Sequence, residues 1–264
     1  MNSEFQFEWG EQDFPGETTS LRKFGPLRVW HRASKGDLWL AWMEVGEQGP
    51  EPETPHHFDD KWVRYAFRGN PRKIRFLPVF PDRPVVMQPE APFFLTPKSE
   101  ARVYVNIPLW VRVELADNQT TLLREIPSLV LSNTWQGSFF EGDLAYWLST
   151  RARREVEPPM QLPHTAVCPI QIHNRSEEEL KVEKICLRVG WLSIFEKEGV
   201  FFGDACHVEY RGTDDTSQVE AKGRAPREAS GAKLITRRRT PARRGLASTF
   251  SQLKSLPGLG IFTS

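Results

Sequence analysis

Apolar and polar positions alternate most strictly in residues 101–115, where eight apolar residues share one parity. A period of two places the apolar side chains on one face of a β-strand and the polar ones on the other. A segment of fifteen residues is longer than most strands, and Pro108 cannot donate a ladder hydrogen bond. The pattern therefore predicts two strands, or one strand bent at Pro108.

A second region of alternation covers residues 166–195. Its apolar positions change parity at Glu183 and Lys184, which predicts one extra residue in a strand, a β-bulge. Weaker strand patterns occur in further short segments that are separated by turn-forming sequences. These segments are residues 27–32, 38–45, 62–67, 73–80, 121–126, 129–133, 144–150, 200–202 and 206–210.

The number and spacing of these segments favour an all-β fold. We predict a two-layer antiparallel β-sandwich, Ig-like or jelly-roll-like, over residues 1–211. It divides into two Ig-like halves, at about 1–115 and 116–211.

The composition changes after Tyr210 and becomes polar and rich in small residues. Residues 212–264 are therefore predicted to be a linker and a basic tail that is either disordered or contains short helices. The two candidate helices cover residues 232–239 and 246–256.

Composition supports a folded chain, because 39% of the residues are hydrophobic and 26% are charged. The first residues lack a positive start followed by an apolar run, and no apolar run is long enough to span a membrane. Three cysteines are too few, and odd in number, for a disulfide framework. These features predict a cytoplasmic protein.

The net charge of +1 conceals an asymmetry, because residues 222–264 contain ten basic residues and one acidic residue. Arg237, Arg238, Arg239, Arg243 and Arg244 fall within eight residues. Such a cluster attracts the phosphates of RNA, DNA or anionic lipid. The apolar residues that follow it are typical of a peripheral membrane segment. The alternative is that these arginines pair with the acidic body of the protein.

Several segments resemble a known prokaryotic family, domain of unknown function 432. They are residues 92–100, 107–111, 131–137, 142–147 and 168–174, and the resemblance covers about residues 75–210. It implies an all-β fold and assigns no activity, cofactor or catalytic residue. It also implies an association with membrane machinery, because some members occur near genes for small-conductance mechanosensitive channels.

Metal and catalytic motifs are weak in this sequence. His56, His57, Asp59 and Asp60 lie close together, but adjacent histidines point apart in an extended chain and acid-rich loops are usually solvated. Cys168, Cys186 and Cys206 include no Cys-x-x-Cys pair. No Gly-x-Ser-x-Gly, His-Glu-x-x-His or phosphate-binding glycine loop is present. We therefore predict no metal, no cofactor and no catalytic residue.

Aromatic residues suggest one further site. Trp135, Tyr146 and Trp147 are predicted to form an aromatic ligand surface, or else to be part of the core.

The favoured function is a non-catalytic binding or regulatory module that acts through protein contacts, with a membrane protein as one kind of partner. The alternatives are a β-sandwich enzyme acting on a sugar or another polar substrate, and nucleic-acid binding through the arginine-rich tail. A binding module requires an exposed apolar patch or an open sheet edge. An enzyme requires a concave pocket with several titratable side chains.

Overall fold

The protein is built almost entirely from β-strands. A computed structural model describes residues 8–46, 61–69, 71–116, 119–137, 142–150, 152–156, 160–212, 216–241 and 245–248. These residues form strands and turns, with short 3₁₀ turns at Val189–Trp191 and Arg227–Ala229. Most strand pairs are antiparallel, so the predicted all-β class is confirmed.

The strands are numbered in chain order. They are β1 (Gly10–Asp13), β2 (Ser20–Phe24), β3 (Leu27–Ser34), β4 (Asp37–Glu44), β5 (Val63–Tyr65), β6 (Lys73–Val79), β7 (Val85–Pro89), β8 (Phe93–Leu95), β9 (Glu100–Pro108), β10 (Trp110–Ala116), β11 (Thr120–Pro127), β12 (Ser132–Gln136), β13 (Asp143–Thr150), β14 (Thr165–Asn174), β15 (Leu180–Val182), β16 (Ile185–Leu187), β17 (Ile194–Lys197), β18 (Val200–Gly203), β19 (Cys206–Tyr210), β20 (Thr216–Ala221), β21 (Lys233–Thr236) and β22 (Gly245–Ser248).

A first pair of layers consists of the sheets β1-β6-β10-β11 and β2-β3-β4-β5. Their alternating apolar side chains share one buried cluster, so that each sheet covers the apolar face of the other. The buried members are Phe24, Leu27, Val29, Leu38, Leu40, Ile74, Phe76, Val111, Val113, Leu115 and Ile126.

A second, larger core lies under an eight-stranded sheet. Its order is β21-β17-β18-β14-β19-β20-β22, and β9 pairs with the other edge of β14. The sheet β12-β13-β7-β16 and the pair β8-β15 contribute to the same core. Three of the described pairs are parallel, namely β7–β13, β14–β18 and β14–β19.

The chain passes from one core to the other at Pro108, where β9 ends. The strand β10 begins two residues later in the other pair of layers, so the prediction of two strands is confirmed. The intervening Leu109 donates its backbone N–H to His164 O at 2.9 Å. Trp9 joins the cores, since its ring centroid lies 4.4 Å from that of Phe24 and 5.7 Å from that of Phe201.

Two local predictions are wrong. The parity change at Glu183 and Lys184 is not a bulge, because β15 pairs with β8 whereas β16 pairs with β7 in another sheet. The helices predicted within 232–239 and 246–256 are absent at Lys233–Thr236 and Gly245–Ser248, which are the strands β21 and β22. The open edges of β17 and β20 supply ladder hydrogen bonds there, and pairing with an existing sheet overrides a weak helical propensity.

Of the predicted tail, residues 213–215, 242–244 and 249–264 lie outside the described residues. The division at residue 211 stays a prediction, although β20, β21 and β22 continue the eight-stranded sheet beyond it. Within the described ranges, no helix has the length and the apolar character needed to cross a membrane.

Candidate functional site

The strand β12 forms one edge of its sheet among the described strands, because it pairs only with β13. Tyr146 of β13 donates its N–H to Pro84 O, on the side of β7, at 2.8 Å. Asn133 lies opposite Tyr146, and opposed residues in an antiparallel pair exchange both hydrogen bonds or neither. Asn133 therefore directs its backbone N–H away from β13, toward the outer edge.

The apolar face of this sheet extends past the core. On β13, Tyr146 and Leu148 pack against the large core, and Leu144 continues the same face. Trp135 lies opposite Leu144 on β12, so the two side chains are neighbours on that face. Trp135 is 53% exposed and Leu144 is 43% exposed, and Val130, just before β12, is 69% exposed.

A cleft of about 230 Å³ adjoins this face, and we call it the edge cleft. The rings of Trp110 and Tyr146 lie 6.1 Å apart between centroids, and the Arg83 guanidinium lies 5.5 Å from the Tyr146 ring. Arg83 also donates a hydrogen bond to Asn133 Oδ1 at 3.1 Å. The lining residues are Arg83, Trp110, Pro127, Leu129, Val130, Leu131, Asn133 and Tyr146.

Tyr146 is held in its place by its hydroxyl group. The phenol donates a hydrogen bond to Asp82 Oδ1 at 2.9 Å. Burial and this acidic neighbour raise the pKa of Tyr146 to about 12. The group therefore stays protonated at neutral pH and acts as a donor rather than as a base.

Two of the three predicted aromatic residues lie on the same face. Trp135 and Tyr146 are both on the face of the edge cleft, whereas Trp147 is on the opposite face, where the Lys184 ammonium lies 5.2 Å from its ring. Trp110 and Arg83 were not predicted from the sequence as part of this surface. Trp110 carried a usable signal, because it is a large aromatic residue on the polar parity of an alternating strand.

The predicted arginine cluster divides according to its contacts. Arg239 is half-buried, donates to Phe80 O at 2.8 Å and forms an ion pair with Glu125 at 2.8 Å. Arg237 and Arg238 are exposed and line an open cleft of about 450 Å³. Arg243 and Arg244 lie outside the described residues.

The three cysteines are buried and unbonded. Burial raises the pKa of Cys186 and of Cys206 to about 12, and that of Cys168 well above its ordinary value. Such thiols stay protonated at neutral pH and are poor nucleophiles and metal ligands. In the described part of the chain, no three His, Cys, Asp or Glu side chains are grouped as metal ligands. The predicted loop containing His56, His57, Asp59 and Asp60 lies outside it.

A polar cluster of Glu228, Tyr104, Arg102 and Arg227 lies on the outer face of the eight-stranded sheet. Glu228 accepts hydrogen bonds from the Tyr104 hydroxyl at 2.6 Å and from Arg102 at 2.8 Å. Burial opposes ionisation of Glu228, but these bonds and Arg227 outweigh it and lower the pKa. These residues satisfy each other's hydrogen-bonding groups and connect the 3₁₀ turn Arg227–Ala229 to β9. Such an arrangement is typical of a structural ion-pair network.

Comparison with known protein families identifies the family to which the chain is similar. The family model described as "Protein of unknown function (DUF432)" matches residues 8–254. Neither the curated proteins nor the solved structures contain a significant match to the chain.

Proposed function

Since the chain belongs to the DUF432 family of proteins of unknown function, we propose from its surface that it is a non-catalytic binding module that docks a partner protein along β12. The observation that carries this proposal is the exposed apolar face of Trp135 and Leu144, with the exposed Val130 just before β12, beside a strand edge that no described strand covers. Contiguous apolar side chains at a surface are typical of interaction sites.

The composition of the edge cleft fits protein recognition. Tryptophan, tyrosine and arginine dominate the energetics of protein interfaces, and Trp110, Tyr146, Arg83 and Trp135 occur together here. Arg83 is held by both Asn133 and the Tyr146 ring. A surface ordered in this way loses little conformational entropy when it binds.

The mode of binding that we propose is the addition of a strand. An extended segment of the partner would pair with the outer edge of β12, where the Asn133 N–H is directed. Its alternate side chains would then enter the edge cleft beside Trp110 and Tyr146 or cover Trp135 and Leu144. Main-chain pairing would supply affinity, and the cleft would supply selectivity.

Substitution of Asn133 by proline tests the pairing. Proline removes the outward N–H without removing a β12–β13 hydrogen bond, and an edge strand tolerates it. We expect Asn133→Pro to weaken partner binding about tenfold, because one main-chain hydrogen bond is lost. Asn133→Ala is the matched control, since it removes the side-chain contact with Arg83 and keeps the amide.

The partner for this experiment is obtained by photo-crosslinking. A benzophenone amino acid at Val130 is compared with one at Leu122, which is 54% exposed on β11 in the other pair of layers. The expected result is a crosslinked protein specific to position 130, whose yield falls in Asn133→Pro but not in Asn133→Ala. Equal crosslinking from both positions, or equal yields in both variants, would contradict the proposal.

Substitution of Trp135 by serine tests the apolar face. Truncation of a central aromatic residue at an interface typically costs about 2 kcal/mol, so we expect a loss of affinity of about 30-fold. Leu122→Ser provides the control for removing an exposed apolar side chain elsewhere. Affinities are measured by titrating the crosslinked partner, once identified, and similar losses in both variants would argue against a specific surface.

Two further features belong to this proposal. A cytoplasmic location is consistent with three free cysteines, because disulfides are rare in reducing compartments. A membrane protein as partner is consistent with the exposed Arg237 and Arg238, which would favour a surface that carries anionic lipid. The enzyme alternative is less well supported, because the polar cluster around Glu228 is already internally hydrogen-bonded.

A further inference from the structure

The arginine segment that follows β21 is anchored at both of its ends. Thr236 Oγ1 donates to Pro78 O at 2.7 Å, and Thr240 N donates to Gly190 O at 3.1 Å. Between them, Arg239 donates to Phe80 O at 2.8 Å and pairs with Glu125. Arg237 and Arg238 are therefore presented from a fixed backbone, and a pre-positioned pair of guanidinium groups binds a ligand at a lower entropic cost.

Both of these arginines are available to a ligand. Both are exposed and, among the described residues, neither forms an ion pair at contact distance, although the charge of Arg238 acts on the buried Asp204 carboxyl. The Arg238 guanidinium lies beside Gly223, which has no side chain to occupy the space next to it. Exposed guanidinium groups that share one cleft attract anions, and their planar donor pairs match the geometry of phosphate oxygens.

The remaining walls of this cleft define what else the ligand must contain. Ser193 and the half-buried Arg239 are further polar residues of the lining, whereas Phe195, Leu234 and Pro241 supply apolar surface. Leu234 is 39% exposed there. The cleft thus offers cationic donors directly beside an apolar wall, and its volume of about 450 Å³ admits more than a bare phosphate ion.

We propose that this arginine cleft, formed by Arg237, Arg238, Ser193, Phe195, Gly223, Leu234 and Pro241, binds a phosphomonoester that carries an apolar group. The phosphate contacts the two guanidinium groups, and the apolar group lies against Leu234 and Phe195. The same chemistry occurs in a soluble aryl or alkyl phosphate and in the headgroup of phosphatidic acid. The site is separate from the edge cleft and does not depend on binding at β12.

Calorimetric titration of the full-length protein tests the site. The probes are 1-naphthyl phosphate, inorganic phosphate, a single-stranded oligonucleotide, and phosphatidylcholine vesicles with and without phosphatidic acid. We expect naphthyl phosphate to bind more tightly than inorganic phosphate. The double variant Arg237→Gln with Arg238→Gln should lower the affinity for naphthyl phosphate about tenfold or more, because two charge-assisted contacts are lost. Leu234→Ser should weaken naphthyl phosphate but leave inorganic phosphate unchanged.

The control removes two positive charges elsewhere. Arg175→Gln with Arg211→Gln acts on two exposed arginines beside Glu209 and should leave the affinity nearly unchanged. Urea unfolding confirms that each variant is folded. Binding to phosphatidic acid vesicles alone identifies a lipid headgroup, whereas binding to naphthyl phosphate as well identifies a free phosphomonoester, and either result supports the site.

Three results would overturn the proposal. The first is an equal loss of affinity in the control variant, which would show attraction by net charge alone. The second is the absence of binding to every phosphate probe. The third is binding of a single-stranded oligonucleotide without binding of naphthyl phosphate or the vesicles, which would assign these arginines to nucleic acid.

Discussion

Substitution of Asn174 by aspartate is expected to lower the free energy of unfolding by about 4 kcal/mol, because it places a carboxylate against buried carbonyl groups. Asn174 ends β14 and has no exposed surface. Its Nδ2 lies 3.0 Å from Leu95 O, 3.1 Å from Thr96 O and 2.8 Å from Glu178 O. Each of these carbonyls would face a repulsive acceptor in the variant.

Alanine at this position removes both sides of the amide, whereas aspartate removes only the Nδ2 donor. Asn174 Oδ1 accepts the Ser176 N–H at 3.0 Å, and aspartate keeps this bond whereas alanine loses it. We nevertheless expect Asn174→Ala to cost less, about 3 kcal/mol, because it introduces no buried charge. The order of the two variants therefore tests whether donation by Nδ2 is the dominant contribution.

Urea unfolding followed by tryptophan fluorescence measures both variants. The matched control is Asn133→Asp, at an exposed asparagine whose Oδ1 accepts from Arg83. Aspartate keeps that acceptor and adds an ion pair, so its effect should lie within about 0.5 kcal/mol of zero. A loss for Asn174→Asp no larger than that of this control would contradict the assigned role of Asn174.

The second large effect concerns pH, because two buried groups have opposite linkage to folding. Burial, aided by the charge of Arg22, lowers the pKa of His31 to about 4 from 6.5. Burial raises the pKa of Asp204 to about 6 from 3.8, and the Ser193 N–H bond and Arg238 only partly oppose the rise. Each shift corresponds to about 3 kcal/mol of stability between its two pKa values.

The signs follow from proton binding. Below pH 6.5 the unfolded chain protonates His31 while the folded protein does not, so stability falls as the pH drops toward 4. Between pH 3.8 and pH 6 the folded protein retains a proton on Asp204 that the unfolded chain loses, so stability falls as the pH rises. The two contributions oppose each other over nearly the same range.

Single variants should separate the two contributions. As the pH rises from 4 to 7, we expect the free energy of unfolding of Asp204→Asn to increase by about 3 kcal/mol relative to that of the wild type. Over the same range, that of His31→Phe should decrease by a similar amount relative to the wild type. Unfolding free energies from urea titrations at four pH values provide the measurement. If the free energy of unfolding of each variant changed with pH in parallel with that of the wild type, His31 and Asp204 would have the same pKa in the folded and unfolded states. That result would contradict the prediction.

Alternation was the most informative sequence signal for the fold. It placed Val103, Val105 and Ile107 on the buried face of β9 and indicated the break at Pro108. It did not show that β9 and β10 belong to different sheets, because the alternation within a strand carries no information about its partner. The same limit explains the wrong prediction of a bulge at Glu183. There the chain changes its pairing partner, because β15 pairs with β8 and β16 pairs with β7.

The binding surfaces were less predictable than the strands. Trp135 and Tyr146 were recognisable as aromatic residues near a turn, but an aromatic residue on a strand is equally compatible with a core position. Only the end of the sheet at β12 leaves Trp135 exposed while Tyr146 is partly covered. Trp110 and Arg83 come from distant segments, and their contact with Tyr146 depends on how the layers pack.

The sequence by itself determined the all-β class, most strand positions and the family, because alternation and turn residues are local and leave their mark along the chain. The tertiary structure decided which strand edges are left unpaired among the described strands and which arginines form hydrogen bonds and ion pairs with the rest of the protein. Nothing in the sequence distinguishes Arg237, Arg238 and Arg239. In the structure, Arg239 donates a hydrogen bond to Phe80 O and forms an ion pair with Glu125, and the other two do not. Burial and partner choice are properties of long-range packing, and for that reason identical residues in one run acquire different roles.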